Sequence, residues 1–153
     1  MSDYSSRLSS SSRLYIPAFG RVYDALRPYT ETLIRIVAGL SFVPHGWPKL
    51  MNPASSGAFL AESGFEPGTA WAVILGMTEV FGGLLLAVGL FTRVACVPTL
   101  IFLLAAIAFH SANGFAWNDG GFEYPLFWAI VVFHFLINGG GPYSVDANMR
   151  REF

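Results

Sequence analysis

Apolar positions fall into four long blocks separated by short polar connections, near 29–49, 70–91, 94–112 and 121–138. Each block approaches the ~20 residues, at ~1.5 Å rise, that a helix needs to cross a ~30 Å hydrocarbon core. The second block (WAVILGMTEVFGGLLLAVGL, 71–90) holds one charge, and the third (VACVPTLIFLLAAIAF, 94–109) holds none. Pro44 and Pro48 interrupt the end of the first. The fourth carries Glu123 near its start and His134 within it, yet PLFWAIVVF at 125–133 is too continuous for a half-exposed helix. The pattern predicts an all-α, polytopic membrane four-helix bundle.

Composition agrees: 54% of the 153 residues are hydrophobic and only 12% are charged, with a net charge of −1. Such a balance gives no global pull toward nucleic acid, so what matters is where the charges sit. Seven of the nine basic residues, Arg7, Arg13, Arg21, Arg27, Arg93, Arg150 and Arg151, fall on one side of the expected spans. The positive-inside rule then places both termini in the cytoplasm, with the 50–69 and 112–121 loops facing outward.

Residues 1–13 (MSDYSSRLSSSSR) are Ser-rich and aliphatic-poor and read as a disordered tail. They lack the 7–15-residue apolar core of a signal peptide, so the chain is expected to insert through its own spans. Over 14–28, Ile16, Phe19, Tyr23 and Leu26 recur at helical spacing, which predicts a short amphipathic helix in the cytoplasmic interface. An irregular linker is the alternative, because Pro17 and Gly20 weaken the pattern. The four-span domain then covers 29–146, and 147–153 is a cytoplasmic tail.

Two charges lie inside apolar blocks, Arg35 and Glu79, and a charge at membrane depth usually marks function. Counting along the spans puts Arg35 roughly 9 Å deep from the cytoplasmic end and Glu79 near mid-bilayer. The reach of an arginine side chain makes the two a candidate buried ion pair. His134 falls at a depth similar to Arg35, completing a candidate inner layer. A local pair with Glu31 is the alternative for Arg35. Glu79 has no such partner at Leu75 or Gly83, so protonation, another helix or a ligand must satisfy it.

An outer layer is richer. His45 and Lys49 end the first span, His110 ends the third and Glu123 starts the fourth. Two imidazoles, an ammonium and a carboxylate at one level suit a polar head group, with Trp47, Phe109, Phe115, Trp117 and Phe122 as an aromatic surround. The alternative is an interfacial belt, where Trp, His and Lys gather because one end of each is wet. His45 and His110 also match in depth as axial ligands to a haem b, a further alternative.

Gly76 and Gly83 repeat at a seven-residue interval, as do Gly82 and Gly89, which lets the second span pack closely on a neighbour and bury Glu79. Cys96 is the only thiol, so no C-x-x-C redox pair exists and the residue reads as a small core hydrophobe. No phosphate-cradling loop or nucleophile elbow is present, and no metal site is indicated.

The order of these segments resembles the DoxX family of small bacterial and archaeal four-helix membrane proteins, over about 33–146. The resemblance rests on R-x₃-G-L at 35–40, HGWPK at 45–49 and TEVFGGLLLAVGLFTR at 78–93. It continues through H-x₂-N-G-F at 110–115, Gly121, Glu123 and GGGPYSVD at 139–146. It implies a multi-pass protein of a prokaryotic plasma membrane that serves in a membrane redox complex alongside other subunits. Family members look like parts of thiosulfate–quinone or terminal quinol-oxidising assemblies, or partners of sulfur-transfer and superoxide-handling proteins.

The chain has no cofactor motif of its own, so electrons would pass through a bound quinone or a partner's centre. On this expectation His45, Lys49, His110, Glu123, Trp47 and Phe115 form a candidate quinone pocket. His45, His110 and Glu123 would relay protons, and Arg35 and Glu79 would be the buried pair. Two other classes compete: a non-catalytic anchor or assembly subunit, and a small-solute or lipid transporter, which would need homo-oligomerisation.

Overall fold

The computed structural model describes residues 14–149; the Ser-rich 1–13 stretch and residues 150–153, with Arg7, Arg13, Arg150 and Arg151, lie outside them. The described residues form helices and no strands. Helix α1 runs Phe19–Met51, α2 Pro53–Glu62, α3 Gly68–Val88, α4 Thr92–His110 and α5 Glu123–Asn138. A π turn at Thr78–Gly82 interrupts the α-helical ladder of α3.

Helix α1 is unbroken through the expected boundary near residue 28 and through Pro28, Pro44 and Pro48. Each proline removes one ladder donor, a loss tolerated where neighbouring helices support the backbone. The consequence is length: Lys49, expected at the proline-interrupted end of the first span, sits within the helix. Asn52 and Pro53 then start α2, inside the stretch expected to be an open outer loop. The Asn52 side chain accepts from Ser55 N at 3.2 Å, and proline at the first helical position needs no donor.

Antiparallel α1 and α3 meet along a seam of glycines. A Cβ at Gly39 would collide with the Gly83 carbonyl and lie 2.5 Å from Ala87 N; one at Gly46 would lie 2.9 Å from the Gly76 carbonyl. Gly39 and Gly46 are spaced seven apart, as Gly76 and Gly83 are, so the two repeats mesh. The neighbour expected for the glycines of the second span is therefore α1. Helix α5 packs on α4, and Phe42, Leu86, Cys96, Leu103, Val132 and Phe135 form a narrow core.

Outward faces are apolar too: Leu33, Ile34, Val37 and Leu40 on α1 and Val97 and Leu104 on α4 are exposed. Apolar side chains all round a helix belong to a lipid environment. Helices Gly68–Val88 and Thr92–Asn113 are long and apolar enough to cross a membrane, and Glu123–Asn138 is apolar but shorter.

One end of the bundle is closed by the segment after α5. Gly89 ends α3 in the left-handed conformation, with Leu90 N bonded to Leu85 O at 2.9 Å and Gly89 N to Leu86 O at 3.1 Å, a Schellman-type stop. Two residues on, Phe91 also has positive φ, at 49°, and α4 begins with no side chain of its own to cap it. The cap arrives from 54 residues away: the Asp146 carboxylate accepts from Phe91 N at 2.7 Å and Thr92 N at 2.8 Å. Asp146 N in turn donates to Gly89 O at 2.9 Å. The GGGPYSVD stretch is thus more than a helix terminator; it is a latch.

Burial alone would push the Asp146 carboxyl up, but hydrogen bonds from Thr92 and Phe91 and the charge of Arg35 outweigh it and hold the group below its ordinary value. With a lowered folded-state pKa, the stabilisation is complete above the unfolded value of about 3.9 and is lost as pH falls through the folded value. Thermal unfolding in detergent is therefore expected to lose none of this contribution between pH 7 and 5 and to decline below about pH 4. Asp146→Asn, costing about 1 kcal/mol at neutral pH, should flatten that acid decline; an unchanged acid profile would refute the capping account.

Candidate functional site

A cavity of about 590 Å³ lies at the bundle end opposite the latch. Its walls are mostly apolar: Trp71, Ile74 and Leu75 from α3, and Pro98, Ile101, Phe102 and Phe109 from α4. Phe59 and Leu60 of α2, with Phe65 just after it, complete the wall. Phe59 meets Phe109 edge-on at 6.1 Å, which ties α2 to α4 across the cavity. Backbone contact seats α2 on α3, since a Cβ at Gly68 would strike the Gly57 carbonyl. The polar lining is His45, Lys49, Thr78, Glu79 and His110.

At the centre of that lining Lys49 Nζ donates to Glu79 Oε2 at 2.6 Å and to the His45 carbonyl at 2.8 Å. Glu79 is 2% exposed. It sits within the π turn, a rare widening that often accompanies function, and its Cβ is 2.7 Å from where a Gly46 side chain would begin. The seam thus brings the base of the carboxylate against α1 one turn before Lys49. The carboxylate leaves water almost wholly and the ammonium only in part, with 24% of the Lys49 side chain exposed, so the buried Glu79 depends on Lys49.

The expected Arg35–Glu79 pair does not form. Seven residues of α3, about 10 Å, separate Glu79 from Leu86, and Arg35 is level with Leu86 and beyond. Its guanidinium donates to Leu86 O at 3.4 Å and Tyr143 O at 3.0 Å, and lies against Gly89, where any Cβ would overlap it. Arg35 therefore adds a second donor to a carbonyl in the last turn of α3, where the helix end is negative, and ties the latch to it. The alternative pair with Glu31 is absent as well; among the described residues the ion pairs are Lys49–Glu79 and Arg27–Asp24. Nor does the expected inner layer exist, because His134 is exposed on α5, where Asn138 Nδ2 bonds it at 3.2 Å.

Of the expected outer layer, the cavity gathers His45, Lys49 and His110, and it adds Glu79, expected beside Arg35. Trp47 and Phe115 are exposed and outside it. Glu123 is outside it too, accepting from Trp117 N at 3.1 Å and so holding the loop that precedes α5. That loop reaches the cavity through one bond, His110 Nδ1 to Gly120 O at 2.7 Å. The contribution of α2 was not legible in advance, although Asn-Pro followed by ASSGAFLAE carries a helix start signal. No cluster of three or more metal-ligating side chains occurs among the described residues.

The DoxX family model matches residues 31–112, which includes Arg35, the α1–α3 seam and every charged cavity residue. The chain belongs to the DoxX family. An uncharacterized membrane protein of Mycobacterium tuberculosis is 36% identical over 150 residues, covering 89% of this chain and 91% of that one. An uncharacterized protein of Haemophilus influenzae is 28% identical over 128 residues, covering 80% and 92%. No solved structure matches. As a DoxX protein the chain is a membrane protein, and its outward apolar faces contact lipid.

The geometry makes a sharp energetic claim about partners. Lys49→Met alone strands a buried carboxylate and should cost about 3–5 kcal/mol. A double-mutant cycle of Lys49→Met with Glu79→Leu should return a coupling of about 1–3 kcal/mol, while Arg35→Met with Glu79→Leu should be additive within about 0.5 kcal/mol. Chemical denaturation in mixed micelles measures both. A larger coupling for the Arg35 cycle would overturn the pairing described above.

Proposed function

We propose that this DoxX protein is a quinone-interacting subunit of a membrane redox complex, crossing a prokaryotic plasma membrane four times with both termini in the cytoplasm. Helices α1, α3, α4 and α5 are the crossings. The distribution of arginines supports that orientation: Arg21, Arg27 and Arg93 share the latch end and Lys49 lies toward the other. The cavity then lies toward the outer side.

One observation carries the ligand reading: an apolar cavity holding a single compensated ion pair and two imidazoles. Apolar walls with a few convergent polar groups suit a membrane-soluble ring with oxygen substituents. A charged solute would lose its hydration here without a net opposite charge to replace it. His45 and Lys49 would hold the oxygens, His110 would accept from one that carries a proton, and Trp71, Phe102 and Phe109 would flank the ring or its tail. When bound, a quinone supplies two-electron, two-proton chemistry that no side chain of this protein offers. The protein's own part is to exclude water with Phe59 and Phe65, fix the oxygens and exchange protons at the imidazoles.

Purified protein is expected to retain quinone extractable with organic solvent, and His45→Ala or His110→Ala should lower the retained amount about tenfold with the protein still inserted. Co-purifying subunits with no quinone in any variant would instead make the chain an anchor of its complex.

A further inference from the structure

We infer that the cavity selects the hydroxylated, reduced form of its ligand over the diketone form, an inference that rests on the quinone-class reading above. It follows from the hydrogen-bonding capacity left over once the protein's internal bonds are counted.

The first observation is the tautomer of His110. Gly120 O can only accept, so the 2.7 Å contact with His110 Nδ1 requires a proton on that nitrogen. Asn113 Nδ2 also donates to Gly120 O, at 3.2 Å, so the carbonyl is held from two sides. In a neutral imidazole the other nitrogen is then an acceptor. Among the described residues nothing bonds Nε2, and His110 lines the cavity.

The second observation is the ion pair. Lys49 spends two of its three N–H donors, on Glu79 Oε2 and the His45 carbonyl, and keeps one. A carboxylate offers about four acceptor positions, and Lys49 fills one of those on Glu79. His45 has neither ring nitrogen engaged by a described residue and serves either role.

The lining therefore presents two fixed acceptors, Glu79 and His110 Nε2, against one fixed donor on Lys49. A diketone brings acceptors only and leaves both protein acceptors facing oxygen lone pairs. A quinol brings two O–H donors for those acceptors, and its oxygens still accept from Lys49. Inside apolar walls an unpaired acceptor is costly, so the mismatch decides which form stays bound.

The test is anaerobic calorimetric titration of the protein in lipid nanodiscs with three probes of one shape. They are a short-chain benzoquinone, its quinol and the quinol's dimethyl ether. The expected result is a quinol affinity at least about tenfold above both others, with His110→Leu bringing quinol and quinone to within about threefold of each other. Quinone binding as tightly as quinol, or ether as tightly as quinol, overturns the selectivity while leaving the quinone site standing. Failure of all three probes to bind overturns the site as well. The three-probe comparison in unmodified protein decides the matter even where the His110 variant is poorly folded.

Discussion

The architecture depends on how closely α1 and α3 approach. In lipid no hydrophobic gain drives helices together, so contact must come from packing that only small residues allow. Gly39 and Gly46 on one helix and Gly76 and Gly83 on the other permit backbone-to-backbone contact. That contact sets the register of everything polar along the interface. It places Lys49 opposite Glu79 and Arg35 opposite the end of α3, ~21 Å apart along α1. A shift of one helical turn would leave both buried charges without their partners. The seam therefore couples folding to electrostatics, because the register that packs best is also the register that neutralises.

Two basic residues on one helix, Arg35 buried and Lys49 half-buried, do different work, and their chemistry explains the division. Arginine offers a planar fork of donors and stays charged in any surroundings, which suits carbonyls at a helix C-terminus that carry partial negative charge. Arg35 binds one carbonyl on α3 and one on the latch, so it ties α1 to elements 51 and 108 positions away in sequence. Lysine is a point charge on a flexible stem, able to hold a carboxylate and a backbone carbonyl while keeping a donor spare. Lys49 does this at the cavity. One cation closes the fold and the other leaves capacity for a ligand.

Much of the helix pattern was legible because hydropathy is a local property. The apolar blocks, the close approach marked by Gly76 and Gly83, and the meeting of His45, Lys49 and His110 all follow from span lengths and positions. Partner choice was not legible, because it depends on register between helices. Depth alone puts Lys49 near the outer interface, past the prolines that interrupt the first block; an α1 that continues to Met51 carries it alongside Glu79. His134 was placed by depth with no knowledge of which face of α5 looks inward. The latch was half visible: GGGPYSVD stood out as a motif, yet nothing local shows that Asp146 caps a helix 54 residues earlier.

The aromatic and carboxylate residues outside the cavity still bear on it, through backbone geometry rather than contact. Glu123 holds Trp117 N, and Phe122 N and Glu123 N donate to Gly114 O and Phe115 O, at 3.1 and 3.0 Å, so the 114–123 loop is closed on itself. Closure fixes where the Gly120 carbonyl points, and that carbonyl fixes the proton on His110. The residues expected at the membrane interface and those lining the cavity are therefore parts of one hydrogen-bonded arrangement. The former shape a loop, and the loop decides whether a cavity imidazole offers a lone pair or a proton.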